Sequence, residues 1–157
     1  MECSPGENPV EEVFAFTGTC AHDENVMEAE DTTVATFRYR DGSLGQLLAA
    51  TSLYPGSGMS FQIAGSDGTI MTQGEDLISW QFHEEMPKDA EIRAKFGSDS
   101  SPVDAPDPLE TANIEGFLEA RNTGASFELD HEKTRKAVEI VEAIYESANS
   151  NEPVSLP

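Results

Sequence analysis

Residues 32–50 read TTVATFRYRDGSLGQLLAA, in which two largely apolar segments flank the pair Asp41-Gly42. Alternation of apolar and polar residues in the first segment is the pattern of a half-buried β-strand. Asp-Gly between two such segments is a strong signal for a tight hairpin turn, because its residues tolerate positive φ. The stretch therefore predicts two antiparallel strands, at residues 31–40 and 44–54, with both turn residues at positive φ.

The same reasoning extends outward from this hairpin, since further apolar segments are separated by Gly-rich and Pro-containing turns. The predicted additional strands cover residues 10–20, 59–64, 69–73 and 77–83, with a short edge strand at 154–156. The segment 92–96 also fits a short strand. One face of the first strand carries Val13, Ala15 and Thr17, and the matching face of the 31–40 strand carries Ala35, Phe37 and Tyr39.

Helical spacing appears only in the last third of the chain. A first helix is indicated around Ile114, Phe117 and Leu118 and ends at Gly124, and a second begins after Asp130, whose side chain is a suitable N-cap. The second helix has an apolar stripe formed by Ala137, Ile140, Val141, Ile144 and Ala148. Strands followed by helices predict an α+β fold, an antiparallel sheet of about six strands with helices on one face.

The opposite sheet face lacks a cover in this arrangement, and the 44–54 strand offers apolar groups to both sides. We expect a homo-oligomer through that sheet face, or a second domain lying on it. At 157 residues the chain has the length of one domain. Residues 1–9, polar with two prolines, are expected to be a lead-in, and residues 10–157 a single domain.

Charge restricts the classes of partner. The chain has 30 Asp and Glu against 9 Lys and Arg, a formal charge of −21, and the acids are sparse between residues 32 and 83. Such a field repels phosphate backbones and anionic lipid, so neither nucleic acid nor a membrane is an expected partner. The skew is typical of proteins adapted to a high-salt cytosol, where screening relieves self-repulsion. An ordinary acidic protein, or one with a basic partner, is the alternative.

The two cysteines, Cys3 and Cys20, do not form a disulfide framework, and residues 1–5 lack the features of a signal peptide. No apolar run has the length of a membrane span. These features predict a reduced, cytoplasmic protein.

Few residues suggest chemistry. The sequence has no Gly-x-Gly-x-x-Gly, P-loop, Gly-x-Ser-x-Gly, His-Glu-x-x-His or Cys-x-x-Cys motif, so no dinucleotide site is expected in this chain. His22 lies in an acidic loop over residues 21–30, which fits a solvated loop, a substrate-facing loop or, with least support, an oxygen-rich metal site. Tyr54, at a strand end before Pro55-Gly56, fits either packing or ligand contact.

Other candidates have simpler interpretations. Glu84 and Glu85 point opposite ways on an extended strand end, so they cannot form a glycosidase-type carboxylate pair. His83 and His131 are isolated and are expected at the surface, and Trp80 with Ile78 and Phe82 is expected in the core.

Short motifs in a fixed order give a family resemblance over residues 10–157. They are Glu30-Asp31-Thr32, Asp41-Gly42-Ser43-Leu44-Gly45, Tyr54-Pro55-Gly56, Gly65-Ser66-Asp67-Gly68-Thr69-Ile70, Ile78-Ser79-Trp80, Ala143-Ile144-Tyr145-Glu146-Ser147-Ala148 and Pro153-Val154-Ser155-Leu156-Pro157. Together they resemble the C-terminal domain of the glucose-fructose oxidoreductase, inositol dehydrogenase and MocA (Gfo/Idh/MocA) family.

The resemblance implies a two-domain parent enzyme in which a Rossmann domain binds NAD or NADP and this domain contacts a sugar-like substrate and mediates assembly. The family's catalytic Lys, in a Glu-Lys-Pro motif, and its catalytic Asp and His precede this domain. No catalytic or cofactor-binding residue is therefore expected within the chain, which would be inactive alone and have its own missing Rossmann domain as a partner. His22 and Tyr54 are the substrate-facing candidates. A non-catalytic assembly module or a carbohydrate-binding module is the alternative.

Overall fold

A computed structural model describes residues 7–23, 27–56, 58–74, 76–96, 108–127 and 131–157. In chain order the elements in these ranges are β1 (Val10–Gly18), β2 (Thr32–Tyr39), β3 (Leu44–Ala50), β4 (Ser60–Ala64), β5 (Gly68–Gln73), β6 (Asp76–Phe82), α1 (Asp89–Phe96), α2 (Pro108–Thr123), α3 (His131–Ser150) and β7 (Val154–Ser155). None of the helices in the described ranges has both the length and the apolarity needed to cross a bilayer.

The strands form two antiparallel sheets, one with the order β3-β2-β1-β7 and one with the order β4-β5-β6. The predicted α+β class and antiparallel pairing are thus confirmed, and the strands divide between two sheets. The chain also divides into two compact units, residues 1–53 with 116–157, and residues 54–115. The sequence predicted a single domain over residues 10–157, and the two compact units do not test this. The single domain remains a prediction.

The β2–β3 hairpin has the predicted position but not the predicted turn conformation. Gly42 has φ 86° and donates its N–H to the carbonyl of Tyr39 at 2.8 Å, whereas Asp41 is not at positive φ. The turn is therefore a three-residue loop with Gly at its left-handed position. The Asp41 carboxylate accepts hydrogen bonds from the Ser43 hydroxyl and N–H, which lower the pKa of Asp41.

The core of the first unit lies between its sheet and α3. Its buried apolar side chains are Val10, Val13, Ala15, Ala35, Ala143, Ile144 and Leu156, and Phe37, Tyr39, Ile140 and Val154 pack around them. The predicted inner faces of the first two strands are confirmed at Val13, Ala15 and Ala35. The alanines keep the core thin, which lets the helix approach the sheet closely.

The apolar stripe of α3 is rotated relative to the sequence prediction. Ile140, Ala143, Ile144 and Ser147 face the sheet, whereas the predicted Ala137 and Val141 are exposed. The residues that face the sheet have the same helical spacing as the predicted stripe. Hydrophobicity alone therefore does not determine which face of α3 contacts the sheet. A completely buried serine decides the orientation.

Ser147 joins α3 to β1 and to the turn between α3 and β7. Its hydroxyl accepts the N–H of Ala15 at 3.0 Å and donates to the carbonyl of Glu152 at 2.7 Å. Strand β7 pairs with β1 only at Glu12 and Val13, so the Ala15 N–H has no strand partner on that side. Ser147 thus replaces a missing ladder hydrogen bond and explains why a polar residue lies in the core.

The start and end of the first unit meet at Arg40. The Arg40 guanidinium donates to the carbonyl of Asn8 at 2.8 Å and to that of Leu156 at 2.9 Å. Asn8 is completely buried and bonds to the Lys136 carbonyl and the Val10 N–H. Part of the expected lead-in is therefore integral to the fold, while residues 1–6 lie outside the described residues.

The helix ends follow the sequence signals. Gly124, at φ 73°, ends α2 and donates its N–H to the carbonyl of Ala120, as predicted. Helix α3 ends at Asn151, which adopts φ 56° and donates to the carbonyl of Ser147. Asp130, the predicted cap of α3, lies outside the described residues.

The second unit contains the three-stranded sheet and α1. The segment 92–96, which fitted a strand, instead lies in a helix, so that interpretation was wrong. Its two apolar residues, Ile92 and Phe96, have helical i, i+4 spacing, and the residues between them favour helix. The helix begins at Asp89, whose buried carboxylate accepts the Met86 N–H at 2.8 Å.

Trp80 connects β6 to α1. Its indole N–H donates to the Asp89 carboxylate at 3.0 Å, and its ring lies 5.1 Å from that of Phe82. The hydrogen bonds from Met86 and Trp80 lower the pKa of Asp89. Trp80 is partly buried, but Ile78 is 58% exposed, so the expected three-residue core is formed only in part.

Replacing Ser147 by Ala removes the acceptor of a buried N–H and should lower the free energy of unfolding by about 1–3 kcal/mol. Asn149, exposed on the same helix, provides the matched control, and its replacement by Ala should change stability by less than about 0.5 kcal/mol. Urea unfolding followed by far-UV circular dichroism measures both. Equal midpoints for the two variants would show that the Ser147 bonds do not stabilise the fold.

Candidate functional site

The loop between β1 and β2 is organised around Asp31, whose side chain is buried. The carboxylate accepts the backbone N–H groups of Cys20 and Ala21 at 2.8 Å each and that of His22 at 2.9 Å, and the hydroxyl of Thr32 at 2.8 Å. Successive N–H groups aimed at one anion favour its ionised form. The pKa of Asp31 is accordingly held far below its usual range, mainly by the bonds from Cys20 and Ala21.

This arrangement also ends the first strand. Cys20 and Ala21 direct their N–H groups at Asp31, so β1 stops at Gly18 and not at residue 20 as predicted. The N–H of Asp31 returns to the carbonyl of Gly18 at 3.1 Å, which closes the base of the loop. The carboxylate of Asp31, at the end of an acidic stretch, is therefore the structural anchor of the loop.

His22 is held by the same carboxylate but remains accessible. Its Nδ1 lies 3.0 Å from Oδ2 of Asp31, and its side chain is 42% exposed. A ring nitrogen beside a carboxylate carries the proton, which makes Nε2 of the neutral ring an acceptor. The imidazole is thus fixed in orientation and offers an acceptor to a hydroxyl group.

A second contact fastens the loop to α3. The hydroxyl of Tyr145 donates to Oε1 of Glu30 at 2.5 Å, and this hydrogen bond, with the charge of Glu30, raises the pKa of Tyr145. Sequence reasoning did not find this pair, since the residues are 115 positions apart. Each residue does lie in one of the family motifs, Glu30 in Glu30-Asp31-Thr32 and Tyr145 in Ala143-Ile144-Tyr145-Glu146-Ser147-Ala148, but neither motif indicates the contact.

Tyr54 is in the second unit and is 98% exposed. It precedes a cis peptide bond to Pro55, and Gly56 follows at φ 90°. Of the two interpretations from the sequence, packing finds no support within the described chain. Its ring and hydroxyl are both available to an external group.

The remaining candidates are not brought together. Glu85 pairs with Arg93 at 3.0 Å and Glu84 is exposed, while His83 and His131 lie at the surface as predicted. Within the described ranges, no three His, Cys, Asp or Glu side chains converge as metal ligands would. His22 and Tyr54 belong to different units, and each is considered by itself.

Replacing Asp31 by Asn should lower the melting temperature most at neutral pH. Because folding depresses the pKa of Asp31, the ionised carboxylate stabilises the fold above its unfolded pKa of about 4, and this contribution is lost as the pH falls below that value. The difference in melting temperature between the native chain and Asp31→Asn should therefore shrink on acidification. Glu28→Gln, on the exposed part of the same loop, is the control. A pH-independent difference for Asp31→Asn would contradict the assignment.

Solved structures share this fold. The WlbA dehydrogenase of Bordetella pertussis, in complex with NADH and UDP-GlcNAcA, matches with 30% identity and a TM-score of 0.73 over 95% of this chain and 42% of its own. The WlbA dehydrogenase of Chromobacterium violaceum, also in complex with NADH and UDP-GlcNAcA, matches with 30% identity and a TM-score of 0.72. The match covers 95% of this chain and 41% of that protein. The myo-inositol 2-dehydrogenase of Lactobacillus plantarum, at 20% identity, a TM-score of 0.69 and coverage of 97% and 43%, shares the fold.

The chain spans less than half the length of these solved proteins. No curated protein matches the sequence. The model of the oxidoreductase family C-terminal alpha/beta domain, GFO_IDH_MocA_C, matches residues 6–156. The chain therefore belongs to the Gfo/Idh/MocA oxidoreductase family and comprises its C-terminal alpha/beta domain.

Proposed function

We propose that this chain is the substrate-contacting and assembly domain of an NAD(P)-dependent dehydrogenase that acts on a sugar, a sugar derivative or a cyclitol. The observation that carries the proposal is the 30% identity, over 95% of the chain, to dehydrogenases solved with NADH and UDP-GlcNAcA. Among the substrates considered, that identity favours a nucleotide-linked sugar acid. Such a parent would remove hydride from a carbinol carbon of the sugar and pass it to the nicotinamide.

The residues in the described ranges do not form a dinucleotide site of the Rossmann kind by themselves. The strand pairs in the described ranges are all antiparallel, whereas a dinucleotide site needs a parallel βαβ unit with a glycine-rich turn at the helix N-terminus. We therefore derive no step of hydride transfer from this chain. We expect the cofactor site and the catalytic residues in the remainder of a parent protein, with this domain contributing contacts to the substrate.

His22 suits a sugar substrate because Asp31 orients its ring and leaves Nε2 as an acceptor for a hydroxyl. The ring is held by the Asp31 carboxylate, and the hydrogen bond between Glu30 and Tyr145 fastens the end of the same loop to α3. A preorganised acceptor loses little conformational entropy on binding. Tyr54 suits the same class of ligand in another way, since an exposed aromatic ring can pack on a sugar face while its hydroxyl bonds to the ligand.

The first unit also supports assembly. On the sheet face away from α3, Phe16, Val34 and Leu48 form one cross-strand row, and they are 56%, 46% and 59% exposed. Phe14 lies beside Phe16, with the ring centroids 5.0 Å apart. An exposed apolar row of this kind is typical of a surface that another protein covers. We propose that this face takes part in a homo-oligomer.

In a full-length parent enzyme, Tyr54→Ala should raise KM for the sugar substrate at least several-fold. The side chain is 98% exposed, so its truncation should leave the melting temperature of the enzyme nearly unchanged. Tyr54→Phe separates the roles of ring and hydroxyl. Steady-state kinetics with the sugar and saturating cofactor measure the effect, and an unchanged KM for Tyr54→Ala would remove Tyr54 from the substrate site. Binding of free sugar by the 157-residue chain without cofactor would instead favour a carbohydrate-binding module.

We further propose that the chain functions in a high-salt, reducing cytosol. With a net charge of −21, self-repulsion opposes the folded state, and added salt screens it. The melting temperature should therefore rise as KCl increases toward molar concentrations. Sucrose at equal osmolality serves as the uncharged control. A melting temperature that does not depend on KCl would contradict adaptation to salt.

A further inference from the structure

The loop between β1 and β2, which we call the His22 loop, comprises residues 19–31. In its described residues the two arms are tied at the base. The N–H of Asp31 bonds to the carbonyl of Gly18 at 3.1 Å, and the hydroxyl of Thr19 donates to the carbonyl of Ala29 at 3.4 Å. These bonds join the loop to itself and to its own strand. Its position relative to the helix that packs on the sheet depends on a separate contact.

Tyr145 on α3 makes that contact. Its hydroxyl donates to Oε1 of Glu30 at 2.5 Å, and its side chain is 43% exposed. The helix backbone is fixed at this position, because Ile144 and Ser147 are buried in the first unit and Ser147 bonds to β1. Tyr145 therefore presents its hydroxyl to the loop from a rigid element of the same unit.

The bond between Tyr145 and Glu30 reaches His22 through one further residue. Glu30 directly precedes Asp31, and Oδ2 of Asp31 lies 3.0 Å from Nδ1 of His22. A shift of the loop at residue 30 therefore moves the carboxylate that holds the imidazole. Because the Tyr145–Glu30 pair is exposed, water competes for both groups, and their hydrogen bond adds little to global stability. Its effect is expected in the local opening of the loop.

We propose that Tyr145 is a positioning residue of the substrate site: through Glu30 it holds the His22 loop in the arrangement in which His22 accepts a hydroxyl group of the sugar. The inference deepens the proposed function and rests on the role given there to His22. Without the hydrogen bond the loop is competent to bind for only a fraction of the time, and the apparent affinity falls by that fraction. Such a loss affects the ground state and the transition state alike, so KM rises and kcat does not change.

Tyr145→Phe in a full-length parent enzyme removes the hydroxyl and keeps the ring. It should raise KM for the sugar substrate roughly three- to tenfold and leave kcat within about twofold of the native value. Glu30→Ala should have the same effect, whereas Glu30→Gln, whose side-chain carbonyl still accepts the hydroxyl, should restore most of the native KM. Glu146→Gln, at an exposed position next to Tyr145, is the matched control and should keep the native KM.

A double-mutant cycle distinguishes positioning from a merely structural effect. Because Tyr145 acts through His22, Tyr145→Phe should lose its effect on KM in a His22→Ala background. Both side chains are exposed, so the melting temperature of each single variant should stay close to that of the native enzyme.

A second measurement needs no substrate. In the 157-residue chain, amide hydrogen exchange followed by NMR reports on the three N–H groups that bond to the Asp31 carboxylate. Tyr145→Phe should speed the exchange of these amides several-fold, because the loop opens more often. The N–H of Ala15, which bonds to the buried hydroxyl of α3, should exchange at its native rate. Glu146→Gln should leave both sets of amides unchanged.

Three results would overturn the inference. They are an unchanged exchange of the Asp31-bound amides in Tyr145→Phe, an unchanged KM for Tyr145→Phe in an enzyme whose KM rises on His22→Ala, and a rise in KM that persists in the His22→Ala background. An unchanged KM for His22→Ala is a different failure. It would remove His22 from the substrate site, and the inference would fall with that part of the proposed function, whereas the role of Tyr54 is tested by its own kinetics.

Discussion

The edge of β1 that faces away from β2 sets the conditions that the rest of the first unit must meet. Strand β7 pairs with only two residues there, although the strand runs through the core. The other β1 amides on that edge need partners, because a buried N–H left unpaired costs about as much free energy as a lost hydrogen bond. Asn8 supplies an acceptor before the β7 pairing, Ser147 supplies one after it, and Asp31 takes the amides beyond the end of the strand. Three polar side chains from distant parts of the chain thus complete one strand.

The strands and helices were largely readable from the sequence because their periodicity is local. Alternation located β2, the Asp41-Gly42 turn located its partner β3, and Gly124 ended α2 where the backbone requires positive φ. The polar residues of the core were not readable in this way. Ser147 bonds to a residue 132 positions away, and Asn8 to one 128 positions away, so no local pattern distinguishes them from surface residues. The orientation of α3 depends on Ser147, which explains why the face that contacts the sheet is rotated from the predicted apolar stripe.

The candidate site residues were chosen by residue type, and the sequence did not indicate their environments. The sequence singled out His22 and Tyr54, and both side chains are accessible in the structure. Tyr54 has no packing partner in the described chain, which the sequence did not indicate. The role of Asp31 was not predicted, because its neighbours in the sequence are acidic and only the folded backbone brings three N–H groups to its carboxylate. What a carboxylate does therefore depends on the path of the neighbouring backbone, which composition does not encode.

Arg40 has a further consequence for the cohesion of the first unit. Its guanidinium binds the carbonyls of Asn8 and Leu156, so the first and last parts of the first unit lie at one corner of the fold. Because a single guanidinium binds both segments, a local opening of either one removes a contact on which the other also relies. Opening of the fold at this corner is therefore expected to be cooperative and not confined to one segment.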